Sequence, residues 1–184
     1  MAKKRYQHEL ELRQFTPGDY DEVKRIMDRI YPKMGGAWTR EQFASMIARF
    51  PEGQLCIEDK GRVVAGALSL VIDYSRYGDR HTYRDIVGEG DLKNHDPEGD
   101  YLYGIDIFVS PDYREKRLGR RLYDARKELC ETLNLKGIII GGRIPGYAEW
   151  ADKKSPQQYI RMVNNREISD PVLSFQVSND FHYK

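Results

Sequence analysis

A dense group of basic side chains lies between Tyr113 and Lys127, at the predicted start of a helix. Seven Lys or Arg residues accompany two Asp or Glu residues here: Arg114, Lys116, Arg117, Arg120, Arg121, Arg126 and Lys127 beside Glu115 and Asp124. The whole chain, in contrast, has a formal net charge of +1. The first-turn amides of a helix lack internal partners and lie at the positive end of its dipole. The sequence therefore predicts a site for an anionic ligand that carries phosphate.

Strands are predicted on both sides of this helix. The apolar run Tyr101–Val109 precedes it, and residues 137–141, with three consecutive isoleucines, follow it. Between them, apolar or small residues recur at helical spacing at Leu118, Leu122, Ala125, Leu129 and Leu133. A strand, a helix and a second strand in this order predict a β-α-β unit with parallel strands.

Two amphipathic helices are predicted nearer the N-terminus. Pro17 opens the first helix and Pro32 ends it. Thr39 and Gln42 form a predicted capping box at the start of the second helix. The apolar residues at helical spacing are Val23, Ile26, Met27 and Ile30 in the first helix, and Phe43, Met46, Ile47 and Phe50 in the second.

Alternating or continuous apolar segments predict the other strands. These strands lie at residues 10–12, 55–57 and 63–72, with a hairpin turn at residues 59–62, a short helix at residues 157–163 and a final strand at residues 172–177. Together the elements predict an α/β (α+β) fold, with a mixed central sheet and helices on both faces.

Residues 74–100, called the insert below, interrupt this pattern with a polar, glycine-containing segment. A segment of this length inside a compact domain usually carries function or is disordered. We therefore predict that the insert lines one side of a ligand groove. His81 and His95 lie within it, and we expect them to be solvated.

Length and composition indicate one folded domain over residues 1–184. The chain is 40% hydrophobic and 32% charged, which is typical of a globular protein and not of a disordered one. No apolar run reaches the roughly 18 residues of a membrane span, and residues 1–8, which we expect to be flexible, lack an apolar signal segment. We expect a cytoplasmic protein, with Cys56 and Cys130 as reduced core thiols and no metal site.

The residues from Val109 to Leu122 resemble the acetyl-CoA signature of the GNAT family of N-acetyltransferases. The matching positions are Val109, Pro111, Arg114, Leu118, Gly119 and Leu122. In that family the pattern Arg/Gln-x-x-Gly-x-Gly/Ala holds the CoA pyrophosphate on its backbone amides, and Arg117 stands here in place of the middle glycine. The resemblance implies acetyl-CoA as cosubstrate, held by Arg114, Glu115, Lys116, Arg117, Leu118, Gly119 and Arg120. The Arg117 side chain adds a charge that can contact phosphate.

Two later segments carry a narrower resemblance. Residues 141–145 and residues 170–182 are similar to the acetyltransferase domain that precedes a carbon–nitrogen hydrolase domain in some bacterial proteins. The resemblance implies either a stand-alone relative or one domain of a longer fusion protein.

The resemblance also implies roles in the chemistry. In the family, backbone groups equivalent to those of Ile107, Phe108 and Val109 line the pantetheine arm, and an amide there stabilises the developing oxyanion. A tyrosine that follows the next strand protonates the leaving thiolate, which implies Tyr147 or Tyr159.

Asp106 is a candidate general base. It is a carboxylate inside an apolar strand, where burial is expected to raise its pKa and suit it to accept a proton from an ammonium group. A structural hydrogen-bonding role is the alternative. Strand alternation directs Asp106 away from the layer that Ile107 and Val109 face, unless a bulge resets the register.

These observations predict acetyl transfer from acetyl-CoA to an amine on a small molecule or a peptide, with the insert on the acceptor side. A CoA-binding regulatory or scaffolding module without turnover is the alternative. Nucleic-acid binding by the Arg114–Lys127 face is a third interpretation, against which the near-neutral charge argues. We expect no nucleic acid and no membrane as partner, and a homodimer stays open.

Overall fold

A computed structural model describes residues 7–32 and 37–183. The chain forms two compact units, Met1–Ile140 and Gly141–Lys184. The prediction of a single domain over residues 1–184 stays a prediction. The predicted flexible segment 1–8 lies outside the described residues except for Gln7 and His8.

The first unit contains one five-stranded sheet of order β1-β2-β3-β4-β5. Its strands are β1 (Leu10–Gln14), β2 (Gln54–Asp59), β3 (Arg62–Ile72), β4 (Tyr101–Val109) and β5 (Ile138–Ile140). The first four strands are antiparallel to their neighbours, and β5 is parallel to β4. The predicted hairpin turn closes on Lys60 and Gly61, both with positive φ, as a tight two-residue hairpin requires. The mixed sheet is confirmed.

Helices cover both faces of this sheet, as predicted. The helices of the first unit are α1 (Tyr20–Ile30), α2 (Arg40–Arg49), α3 (Tyr83–Val87) and α4 (Leu118–Thr132). One buried cluster contains Ile26 of α1, Phe43 of α2 and Phe108 of β4. A second cluster contains Leu118 and Leu122 of α4, against which the neighbouring β4 residues Ile107 and Val109 pack. Since adjacent residues of a strand point to opposite faces, the two clusters lie on opposite sides of the sheet.

The insert is more ordered than its composition suggests. It contains α3, whose N-terminus is capped by Thr82 through reciprocal hydrogen bonds with Asp85. Ile86 and Leu92 are fully buried and belong to the larger core cluster. His95 is half-buried: its Nδ1 accepts the Val71 amide, its ring stacks on Phe50, and burial lowers its pKa. The expectation of a solvated His95 is therefore wrong, and part of the insert is core.

The second unit contains α5 (Pro156–Asn164) and α6 (Leu173–Val177). The helix predicted at residues 157–163 is confirmed, whereas the final strand predicted at residues 172–177 is wrong. The Asp170 carboxylate accepts hydrogen bonds from the amides of Val172 and Leu173, each at 2.9 Å, which satisfies first-turn donors and favours a helix. Over the described ranges, the chain has no helix long and apolar enough to cross a membrane.

Candidate functional site

Strands β4 and β5 pair over only part of the length of β4. The pairs are Leu102 with Ile138, Tyr103 with Ile139, and Gly104 with Ile140, whereas β4 continues to Val109. The amide of Ser110 donates to Val64 of β3 at 2.8 Å. Because the amides of a strand alternate in direction, those of Ile107 and Val109 point away from β3. The Ile107 amide donates to Asp106 Oδ1 at 2.7 Å, and the Val109 amide is directed to the side where the pairing of β4 with β5 has ended.

A β-bulge lies where this divergence begins. Leu68 of β3 is opposite Asp106, and Ser69 is opposite Gly104, so Ile105 is an extra residue on β4. A bulge bends its strand and redirects the side chains that follow. Beyond the bulge, Ile107 packs on the α4 side, and Asp106 therefore faces the α1 side. Because this bulge precedes Asp106, it does not bring Asp106 to the layer of Ile107 and Val109, and the alternation expected from the sequence is retained.

Arg126 of α4 lies beside the bulge and contacts both β3 and β4. Its guanidinium donates to the carbonyl of Leu68 at 2.6 Å, to the carbonyl of Asp106, and to Ser69 Oγ at 3.1 Å. The side chain is 1% exposed, and burial lowers its pKa to about 10, so it stays charged at neutral pH. Arg126 joins the α4 helix to the bent part of β4.

Sequence reasoning counted Arg126 as part of the basic cluster and missed its burial. A signal was present, because Arg126 follows Leu122 by one helical turn and therefore lies on the apolar face of α4. An arginine at such a position must find several acceptors inside the protein, because a buried guanidinium without partners is costly.

The residues before α4 and the first residues of α4 together form what we call the basic loop, 114–120. Arg117 precedes the helix in a left-handed conformation, with φ 58°, and provides no side-chain cap. The first hydrogen bond that closes onto Arg117 comes from the Arg121 amide at 3.1 Å. The amides of Leu118, Gly119 and Arg120 are therefore first-turn donors, which a helical hydrogen-bond pattern does not use.

The conformation of Arg117 explains why glycine is common at this position of the family pattern. A positive φ is accessible to glycine without strain but costs other residues about 1–2 kcal/mol. Arg117 adopts the required backbone, with its side chain exposed to solvent. The side chains of Arg114, Lys116 and Arg120 are also exposed, so four exposed cations lie at the start of α4.

The start of the loop is anchored to the rest of the first unit. Tyr113 donates from its hydroxyl to the buried Asp59 carboxylate at 2.7 Å. His8 Nδ1 lies 2.7 Å from the same carboxylate, and the Glu9 amide donates to it at 2.8 Å. Hydrogen bonds from His8, from the Glu9 amide and from Tyr113 lower the pKa of Asp59 to about 2. These hydrogen bonds therefore hold Tyr113, the residue that precedes the basic loop, in place.

Asp106 contacts a tyrosine of another element on the face of β4 opposite to Ile107. The Tyr31 hydroxyl at the end of α1 donates to Asp106 Oδ1 at 3.4 Å. Burial raises the pKa of Tyr83, and electrostatic interactions with Asp106, Tyr103 and Tyr31 raise it further. Sequence reasoning identified Asp106 but none of these tyrosines.

The insert also brings an aromatic side chain against β4. Tyr83 begins α3, and the His81 ring lies 5.6 Å from the Tyr103 ring. His81 Nδ1 is 2.6 Å from the Gly78 carbonyl. Since a carbonyl only accepts, this nitrogen carries a proton.

Tyr147 and Tyr159 both belong to the second unit. The Tyr147 hydroxyl donates to the Lys154 carbonyl at 2.8 Å. Tyr159 is buried, donates to Asp170 Oδ2 at 2.9 Å, and has its pKa raised to about 12, first by burial. Both phenol protons are used within the second unit, and the role of either tyrosine as the thiolate acid stays a prediction.

The two cysteines are unpaired and buried. Burial raises the pKa of Cys56 to about 12 and also raises the pKa of Cys130. The thiolate that a covalent acyl intermediate requires is therefore disfavoured at both positions. In the part of the chain that the structure describes, no three His, Cys, Asp or Glu side chains are grouped to hold a metal ion.

Comparison with known proteins agrees with the fold and the motif. The model of the acetyltransferase (GNAT) family matches residues 20–145. Two similar proteins come from Bacillus subtilis (strain 168). YhcX, named a probable hydrolase, is 42% identical over 177 residues, and YkwB, named an uncharacterized N-acetyltransferase, is 34% identical over 169 residues. The matches include 96% and 90% of this chain, but the chain spans only 34% of YhcX and 75% of YkwB.

Solved structures share the fold at low sequence identity. The loading GNATL domain of CurA from Lyngbya majuscula has a TM-score of 0.75 at 19% identity, over 92% of this chain and 83% of that domain. The GNAT-like decarboxylase GphF, in complex with isobutyryl-CoA, has a TM-score of 0.66 at 21% identity, over 91% of this chain and 84% of that one. The family resemblance predicted from the sequence is confirmed. The match to about a third of a probable hydrolase agrees with the narrower resemblance to one domain of a longer protein.

Proposed function

Because the chain belongs to the acetyltransferase (GNAT) family, we propose that it transfers an acetyl group from acetyl-CoA to an amine by direct attack. The observation that carries this proposal is the course of β4. The strand leaves its partner β5 beyond Gly104 and leads directly into the basic loop. One continuous segment therefore provides both a strand edge for the thioester and a helix start for the pyrophosphate.

The basic loop is suited to the anionic end of CoA. First-turn amides of α4 donate to the pyrophosphate oxygens, and the exposed Arg114, Lys116, Arg117 and Arg120 add positive charge. The anchor of Tyr113 on Asp59 holds the loop before ligand arrives, which reduces the entropy that binding has to remove.

The open edge of β4 is suited to the thioester. The amine lone pair forms a C–N bond to the thioester carbonyl carbon, and the C–S bond then breaks to release the CoA thiolate. Negative charge develops on the carbonyl oxygen, and the Val109 amide, which points away from β3, stabilises it. The amine nitrogen loses one further proton to water as the amide forms, and Tyr147, Tyr159 or water gives one proton to the thiolate.

Asp106 is suited to prepare the amine. An ammonium group has no lone pair, so one proton must leave before attack. The Asp106 carboxylate, half-buried on the face opposite to Ile107, accepts this proton directly or through water. Its position at the bulge, with its own carbonyl bound by Arg126, fixes the backbone that carries the base.

A CoA-binding module without turnover is the second candidate. It is favoured by the hydrogen bonds that both Tyr147 and Tyr159 make inside the second unit, because a phenol engaged in this way is a poor proton donor to a thiolate.

One pair of measurements separates the two candidates. Calorimetry measures the affinity for CoA and acetyl-CoA, and a thiol reagent measures CoA release with a panel of small amines and lysine peptides. Amine-dependent CoA release supports the transferase. Tight CoA binding with no release above the rate of spontaneous hydrolysis, across the panel, would establish the module instead.

A further inference from the structure

A small cavity lies on the α1 side of the sheet, where β4 ends and the connection to the basic loop begins. It has a volume of about 90 Å³ and is lined by residues of α1, of the start of β3 and of the segment 110–113. We propose that this cavity is a second anion site, which binds a phosphate monoester through Arg25, Arg62 and the Ser110 hydroxyl. None of these three residues belongs to the basic loop.

Arg25 provides a positive charge that the neighbouring carboxylates do not balance. The carboxylate in the cavity wall, that of Asp112, accepts two hydrogen bonds from Arg29, at 2.7 and 3.0 Å. Glu22, one helical turn before Arg25, pairs with Arg62 at 3.4 Å. Arg25, in contrast, has no hydrogen bond or ion pair with any residue that the structure describes. Three arginines therefore accompany two carboxylates, and one positive charge is left for a ligand.

Ser110 provides a hydroxyl that has no other use. The residue is 3% exposed and takes the N-cap position of the turn Pro111–Tyr113, yet its side chain does not cap this turn, as an N-cap serine usually does. Strand alternation places the side chain on the α1 side, opposite to Val109. Within the described ranges, no fully buried side-chain oxygen or nitrogen lacks a hydrogen-bond partner. The unpartnered Ser110 Oγ is therefore open to the cavity.

The arrangement of these donors favours a phosphate monoester. They approach the cavity from three elements, Arg25 from α1, Arg62 from the start of β3 and Ser110 from the end of β4. The three terminal oxygens of a phosphate point in different directions, so each can accept from a different donor, whereas a carboxylate has only two oxygens in one plane. Since one water molecule takes up about 30 Å³ in the liquid, the cavity has room for a phosphate group but not for a nucleotide.

Two kinds of molecule carry this chemistry. CoA has a phosphate monoester on its ribose, at the 3′ position and apart from its pyrophosphate. Tyr113 both lines the cavity and directly precedes the basic loop, so one CoA molecule has phosphates for both sites. A separate phosphorylated molecule is the other source. The first source rests on the proposed function, because it needs CoA in the basic loop, and the second does not.

Calorimetry with CoA and with dephospho-CoA, which lacks only the 3′-phosphate, distinguishes the two sources. If CoA supplies the group, the full chain should bind CoA at least about tenfold more tightly than dephospho-CoA. If a separate molecule supplies it, the two forms should bind equally, and inorganic phosphate should bind to the chain saturated with dephospho-CoA. Equal affinity for the two forms together with no binding of phosphate would overturn the proposal.

Three variants test the donors. Arg25→Gln removes the unpaired charge and should reduce the observed phosphate affinity, or the preference for CoA, by about tenfold, with dephospho-CoA affinity unchanged. Ser110→Ala should reduce it by about 3- to 10-fold. Lys24→Gln is the matched control, because it removes a charge from the same helix, pairs with Asp28 at 2.6 Å and does not line the cavity. Equal effects of Arg25→Gln and Lys24→Gln would contradict the site.

Asp112→Asn tests the site in the opposite direction. It removes the carboxylate from the cavity wall and releases Arg29 from its ion pair, so phosphate affinity, or the preference for CoA, should increase by about 3- to 10-fold. Because a misfolded variant does not gain affinity, this result stands even if another variant fails to fold. Unchanged or weaker phosphate binding in a folded Asp112→Asn variant would count against the proposal.

Failure of this inference is distinguishable from failure of the proposed function. If amines cause CoA release but neither a preference for CoA nor phosphate binding is found, the transferase stands and the second anion site is overturned. If the phosphate is bound as expected but no amine of the panel causes CoA release, the anion site stands and the transferase is overturned.

Discussion

The basic loop and the insert flank the same strand, yet the roles that we propose for them depend on different kinds of groups. The basic loop relies on first-turn amides, which any residue type except proline supplies, so a spacing of a few positions in sequence defines it. The insert relies on side chains that meet β4 only after folding, such as His81, whose ring lies 5.6 Å from the Tyr103 ring. A site can therefore be predicted from a short sequence motif where backbone groups make the contacts, but not where side chains that are distant in the sequence make them.

The two regions also differ in how they are attached to the core. The basic loop begins at Tyr113 on Asp59, and the neighbouring Asp112 pairs with Arg29 of α1 at 2.7 Å. The insert is attached by the buried side chains of Ile86 and Leu92. Deletion of the whole insert would therefore expose core, whereas changes confined to its solvent-exposed residues test acceptor choice alone.

The largest expected effect separates catalysis from CoA binding at Asp106. Asp106→Asn keeps the shape and removes the base, so acetyl transfer at neutral pH should fall by about 100-fold or more and partly recover as pH rises. CoA affinity by calorimetry should not change. Asp124→Asn, at an exposed position on α4, is the control and should keep full turnover. Full turnover of Asp106→Asn with an unchanged pH profile would mean that Asp106 is structural.

A tenfold effect on acetyl-CoA binding is expected in the basic loop. Gly119→Val places a β-branched side chain among the first-turn amides and should weaken acetyl-CoA binding at least about tenfold, or about 1.4 kcal/mol. Gly119→Ala, which the family pattern permits, should bind nearly as the native chain does. The KM for amine should be unaffected in both. Native affinity in a folded Gly119→Val variant would contradict pyrophosphate binding at this turn.

A smaller effect is expected at the anchor of the basic loop. The pKa of Asp59 is about 2 in the folded chain against an ordinary value of 3.8. Its contribution to stability is therefore present above the ordinary value and is lost as pH falls towards 2. Asp59→Asn should lower stability at neutral pH and flatten the pH dependence of unfolding in that acidic window.

The same variant should weaken CoA binding by less than about tenfold, because Tyr113 loses a charged acceptor. Denaturant unfolding at several pH values and calorimetry measure the two effects. An acid-unfolding curve identical to that of the native chain would show that the anchor has no energetic role.

The smallest effect is expected where the chain departs from the family pattern. Arg117→Gly removes the cost of a left-handed residue, about 1–2 kcal/mol, but adds about 0.5–1 kcal/mol of unfolded-state entropy. The free energy of unfolding should rise by about 0.5 kcal/mol. Asn134→Gly, with φ 52° beyond the end of α4, is the matched control for backbone strain. Only Arg117→Gly should slightly weaken CoA binding, since only Arg117 belongs to the basic loop; an equal loss of affinity in both would remove Arg117 from the site.

Local signals in the sequence predicted most of the fold. The capping box of Thr39 and Gln42, the hairpin at Gly61 and the apolar spacing of α4 depend on neighbours within one or two turns. Strand–helix–strand order was enough to predict the parallel pairing of β4 with β5. The basic loop was readable for the same reason, since a helix start and its charges are local.

The wrong prediction at residues 172–177 shows the limit of local signals. A short apolar segment is compatible with a strand or a helix by pattern alone. The Asp170 carboxylate decides between them, because it accepts the amides of Val172 and Leu173. His95 shows the same limit, since its burial comes from contact with Phe50, far away in the sequence.

The sequence by itself determined the family, the order of the strands and of all helices but α3 in the first unit, and the helix start with its basic residues, because each is encoded by residues close together in the chain. Only the tertiary structure decided the bulge at Ile105, the burial of Arg126 beneath it and the contact of Tyr31 with Asp106. The register between β3 and β4 and the approach of α1 and α4 to β4 determine these features. Such contacts join residues far apart in sequence, and no local periodicity records which of them will meet.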